Sequence, residues 1–100
     1  MLKHIVMWKL KDEAEGADKA TNIAKMVDLL KGCANLVPGM GAFEVSSMQA
    51  PLEATYDIVL YSEFADVASL QAYQQHPEHK AIMPFIGAVR LERQCMDYIV

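Results

Sequence analysis

The stretch Leu2-Lys3-His4-Ile5-Val6-Met7-Trp8-Lys9-Leu10-Lys11 decides the fold. Alternation puts Leu2, His4, Val6, Trp8 and Leu10 on one side of a strand and Lys3, Ile5, Met7, Lys9 and Lys11 on the other. The second side is also apolar in its middle, at Ile5 and Met7. A strand with one face in water would not place them there, so both faces are expected to be covered. Tyr56 to Phe64 repeats the pattern, with Tyr56, Ile58, Leu60 and Phe64 on one side and Val59 and Tyr61 on the other.

Between and beyond these strands the period changes. Asp12 to Asp18 reads as an acidic turn around Gly16. From Asp18 the residues Ile23, Met26, Val27, Leu30 and Ala34 recur at helical spacing, with Asp18 or Thr21 as cap, Gly32 near the end, and a stop by Asn35. Val37-Pro38-Gly39 disfavours helix and supplies a turn. Gly41 to Ser47 is a short strand, and Ser46 to Thr55 a loop. Asp66 caps a second helix through Val67, Leu70, Gln71 and Tyr73. His76-Pro77 breaks it, because the residue before proline is pushed out of helical geometry, and Pro77 suits the first turn of a new segment through His79, Ile82 and Met83. Pro84 is expected to kink that segment, and Leu91 to Val100 closes the chain as a strand.

The order βαββαβ, with right-handed crossovers, implies a single α+β domain of ferredoxin-like arrangement: a four-stranded antiparallel sheet with its helices on one face. Helices cover only that face. A second copy of the same sheet is the simplest cover for the other, so a homodimer is expected. The face with Ile5, Met7, Ile58 and Leu60 is assigned to the partner, and the face with His4, Val6, Trp8 and Asp57 to the helices.

Composition narrows the function classes. Of 100 residues, 53% are apolar, above the ordinary ~45–50%, which leaves surplus for an interface or a ligand cavity. Charges interrupt every apolar stretch before the ~18 residues that a membrane span needs. A net charge of −4 and the absence of a basic stripe argue against nucleic acid. Met1 to Leu10 resembles neither a secretory nor a transit segment, so a cytoplasmic location is expected, with Cys33 and Cys95 as free thiols.

With the first strand and the segment Leu70-Gln-Ala-Tyr-Gln-Gln-His-Pro-Glu-His79 in view, the chain resembles the stress-responsive dimeric α/β-barrel (Dabb) family. The K-H-I-V strand and the Y-x-x-H-P-x-H turn carry the likeness, which spans essentially the whole chain. The resemblance implies protomers whose sheets pack face to face. One plant member of the family is a polyketide cyclase whose catalytic tyrosine and histidine fall on Tyr73 and His79, with a pocket histidine falling on His4. Where that cyclase has a histidine on its third strand, this chain has Asp57.

The chemistry expected of these residues follows. His79 sits in a helix's first turn, where the positive dipole end favours the neutral imidazole of a general base. Tyr73 can hold a developing oxyanion. His4 and Trp8 are expected to line the ligand pocket, Asp57 to accept from the His4 imidazole, and His76 to brace the turn beside the ligand. His76 and His79 are three apart, but Pro77 intervenes and no third ligand is visible, so no metal site and no cofactor are expected. The leading function is binding of a small, largely apolar or aromatic ligand, with cyclase- or lyase-type chemistry by Tyr73 and His79. A non-enzymatic stress-associated oligomer and a monooxygenase of the wider dimeric barrel superfamily stay open.

Overall fold

In a computed structural model describing Met1–Val100, the elements run β1 (Leu2–Leu10), β2 (Glu13–Ala14), β3 (Ala17–Asp18), α1 (Lys19–Lys31), β4 (Met40–Ser47), β5 (Ile58–Phe64), α2 (Val67–Gln75), α3 (Pro77–Val89) and β6 (Arg90–Ile99). Strand order is β4-β5-β1-β6, with every adjacent pair antiparallel. This is the ferredoxin-like arrangement expected from the βαββαβ order. The second helical region consists of two helices, because His76 is extended (φ −62°, ψ 137°) between them.

Each helix starts where the sequence supplies an acceptor. The Asp18 carboxylate accepts from the Thr21 amide at 2.8 Å, and that of Asp66 from the Ser69 amide at 2.8 Å. These amides favour the ionised acids and hold both carboxyls below their usual range. α3 begins at Pro77, whose missing N–H costs nothing in a first turn, and continues through Pro84 as one helix to Val89.

The acidic turn contains a small hairpin, β2–β3, reversed by Glu15 and Gly16 at φ +52° and +72°. Buried Asn22 of α1 ties this hairpin down, its Nδ2 donating to the carbonyls of Ala14 (2.9 Å) and Ala17 (3.4 Å).

The core lies between the sheet and the helices. Val6, Trp8, Ile58, Leu60 and Phe64 meet Met26, Leu30, Tyr73, Ile86 and Val89 there. One assignment is corrected. Val6 pairs with Leu60 and Trp8 with Ile58, and directly paired residues share a face. Ile58 and Leu60 are therefore buried under the helices at 1% and 2% exposure. The open face instead carries Val59 and Tyr61 beside Ile5 and Met7, with Met96 and Tyr98 of β6. Charged groups ring it: Lys9 pairs with Glu92 at 3.2 Å, and the Tyr61 hydroxyl donates to Glu63 at 2.5 Å. No helix is long and apolar enough to cross a membrane.

Candidate functional site

The break between α2 and α3 builds one wall of a cavity. α2 turns Tyr73 fully inward, against Phe64 (5.3 Å between ring centroids) and Phe43 (6.2 Å). The chain then leaves helical geometry at His76, whose Nδ1 accepts the Glu78 amide at 3.1 Å and caps α3. One turn later His79 meets Tyr73 edge to face, with ring centroids 4.7 Å apart and planes at 64°. The opposite wall is β1, which presents His4, Val6 and Trp8. Together these residues enclose about 210 Å³ between sheet and helices, with Leu60 and Ile86 among the apolar lining and Arg90 and Arg93 completing it.

Three polar atoms here are buried without a partner in the protein: Trp8 Nε1, the Tyr73 hydroxyl and His79 Nδ1. Buried polar groups are nearly always hydrogen-bonded, and an unsatisfied one costs about 1–3 kcal/mol. All three belong to residues lining this single cavity.

Electrostatics assign them distinct capacities. Burial pushes the Tyr73 phenol well above its usual range, with the Cys33 thiol adding to it, so Tyr73 is a donor and never a base near neutrality. Burial, and next the neighbouring His4, hold the His79 imidazole below its ordinary value. His79 is thus neutral at pH 7 and able to accept a proton, with burial as the main cause in place of the helix dipole.

His4 has a carboxylate partner, and it is not Asp57. In the β1–β6 register His4 stands opposite Asp97, and its Nδ1 is hydrogen-bonded to the Asp97 carboxylate. A carboxylate accepting from Nδ1–H fixes the tautomer in which Nε2 carries the lone pair. Asp57 precedes β5 at the far end of the sheet. Its Oδ2 accepts from the Leu10 amide at 2.8 Å, its own amide donates to the Trp8 carbonyl, and Lys19 Nζ lies 3.8 Å away. The carboxylate so occupied extends the β1–β5 ladder by one bond beyond its end and lines a separate, more open groove along the 48–57 loop. His76 also stays outside the cavity, because its ring is used as a helix cap. Of the six candidate residues, Tyr73, His79, His4 and Trp8 converge; Asp57 and His76 do not.

Sequence reasoning missed Asp97, Arg90 and Arg93. The signal was alternation in β6: Arg93, Cys95 and Asp97 share one face, and β6 neighbours β1 in a ferredoxin-like sheet. The donors His4 Nδ1, Cys95 Sγ and the Asp97 carboxylate lie within 4.8 Å of one another, types that zinc accepts. However, the His4 and Asp97 atoms touch directly, whereas two ligands of one tetrahedral zinc sit roughly 3.3 Å apart. Burial and Asp97 also push the Cys95 thiol up, away from the thiolate a metal needs. The arrangement is a histidine–carboxylate pair.

The sequence profile of the stress-responsive A/B barrel domain matches residues 2–100. The chain belongs to the Dabb family. Among solved structures, the Dabb chain is similar to a dimeric protein of unknown function and ferredoxin-like fold from Bacteroides fragilis, at 29% identity and a TM-score of 0.82, covering 99% of this chain and 95% of that one. It shares its fold with an antibiotic biosynthesis monooxygenase (16% identity, TM-score 0.74, 100% and 98% covered). The same holds for a hydroxynitrile lyase from Passiflora edulis (17% identity, TM-score 0.74, 99% and 92% covered). No curated protein matches the chain in sequence. At those lower identities the likeness concerns architecture, and one architecture hosts many chemistries.

Proposed function

We propose that this Dabb protein is a homodimer that binds a small, largely apolar or aromatic molecule in the cavity under its helices. In this reading Tyr73 and His79 supply acid–base chemistry of cyclase or lyase type. The observation that carries it is the set of unpartnered buried atoms on residues lining one cavity: Trp8 Nε1 from the sheet side, and the Tyr73 hydroxyl and His79 Nδ1 from the helices. A ligand oxygen reaching them would recover hydrogen bonds the folded chain leaves unmade. A neutral His79 beside a protonated Tyr73 is what proton abstraction next to a carbonyl requires, with the phenol holding the enolate oxygen as it forms. The dimer is supported by the open apolar face around Ile5, Met7, Val59 and Met96, and by the dimeric Bacteroides structure.

The test is ligand-induced stabilisation across a panel of single-ring phenols, ketones and aromatic acids. Binders should raise the melting temperature of the wild type and lose at least about tenfold in affinity in Tyr73→Phe and His79→Ala. A panel that never shifts the melting temperature would leave the cavity as packing and favour a purely structural oligomer.

A further inference from the structure

The cavity's polar character is lopsided. Its lining holds two arginines, Arg90 and Arg93, and no aspartate or glutamate. This is against the composition of a chain with 13 acidic and 9 basic residues. Neither arginine makes an ion pair, whereas Lys9 and Lys19 both find carboxylates. Asp97, on the same face of β6 as Arg93, is occupied by His4. Trp8 and Arg93 are direct cross-strand partners, so the indole N–H and the guanidinium rise from neighbouring positions on one sheet face. Trp8 is 4% exposed and its N–H is unpartnered. An indole N–H and a guanidinium can only donate.

Size limits the occupant. An apolar cavity of ~150 Å³ accepts benzene, and pockets for drug-sized ligands run from about 300 Å³ upward. At about 210 Å³ this one holds a single ring with one or two substituents.

We propose that the cavity is a site for a single-ring carboxylate, the ring lying on the apolar floor of Val6, Leu60 and Ile86, the carboxylate received by Arg90, Arg93 and the Trp8 indole N–H. Arginine's planar fork matches a carboxylate in two parallel hydrogen bonds, which sets orientation as well as affinity. The bound acid then presents its ring to Tyr73 and His79 on the opposite wall. This inference rests on the ligand-binding reading above and adds the charge that reading leaves open.

Trp8 is the chain's single tryptophan, so its indole N–H gives one resolved cross-peak in a proton–nitrogen correlation spectrum. Titration of that peak with benzoate and with benzamide, its uncharged analogue, tests the proposal in the intact 100-residue chain at low salt. Benzoate should bind about tenfold or more tighter than benzamide and move the indole peak downfield. Arg93→Gln and Arg90→Gln should bring the two affinities together, benzoate losing about tenfold more than benzamide. Both positions are exposed, so the variants should unfold at the wild-type denaturant concentration. Equal affinity for the two probes in the wild type would overturn the carboxylate assignment and leave the binding reading intact. A benzoate preference that survives both arginine substitutions would also overturn it. Failure of both probes to bind at millimolar concentration would overturn the binding reading and this inference with it.

Discussion

Tyr73→Phe is a change that ordinarily destabilises a protein and here should do the reverse. A buried tyrosine hydroxyl usually has a partner, and deleting it loses about 1 kcal/mol. The Tyr73 hydroxyl has none, so the fold bears its desolvation without return. Phenylalanine keeps the contacts to Phe64, Phe43 and His79, and the ring stays where the core needs it. The ligand-free variant should therefore gain about 1–2 kcal/mol, within the ~1–3 kcal/mol cost of an unsatisfied buried polar group. For a domain of this size that is a rise of roughly 4–16 °C in melting temperature. Tyr73→Ala, which empties the space of the ring, should instead lose about 3–5 kcal/mol. The assay is urea unfolding followed by the fluorescence of Trp8, at equal protomer concentrations so that subunit association does not enter the comparison. A loss of 1 kcal/mol or more in Tyr73→Phe would refute the reasoning, because it would mean the hydroxyl is already satisfied in the free protein.

Three further outcomes are expected. His79 has its proton affinity lowered by folding, so the unfolded chain binds more protons just below pH 6.5; stability present above that pH should fall as pH drops through the lower folded value. Melting temperatures between pH 7.5 and 5 should show this slope, and His79→Gln should flatten it; parallel slopes in the two proteins would refute the assignment. Ile5→Asp places a charge in the middle of the open sheet face and should halve the mass measured by light scattering at micromolar concentration, whereas an unchanged dimer would place the interface elsewhere. Asn22→Leu strands the Ala14 and Ala17 carbonyls and should cost about 1–3 kcal/mol in urea unfolding, with a neutral result showing that the β2–β3 hairpin is held by something else.

Local chemistry was legible in the sequence where the cause is local. The caps at Asp18 and Asp66, the break at His76-Pro77 and the alternation of β1 all depend on residues within a few positions of one another. Tyr73 and His79 were readable together for the same reason. Relations between distant strands were less so. Period-two patterning says which residues of one strand share a face, but not which face of the next strand joins them; Ile58 and Leu60 were misplaced on that account. The His4–Asp97 pair joins residues 93 positions apart, and only register brings them together. Asp57 was misread because it stands just outside β5, where its side chain substitutes for a missing strand partner. The β2–β3 hairpin is only two residues per strand, too short for alternation to declare itself.

β6 is exposed along almost its whole length, yet two of its side chains help enclose the cavity. Much of the remaining wall is also core: Trp8, Tyr73 and Ile86 cannot change without a cost in folding. Arg90 and Arg93 are free of that double duty. Substitutions there can drift with little penalty, so on the proposed ligand-binding reading the edge strand is where sister proteins on this scaffold can diverge in ligand preference while inheriting an unaltered fold.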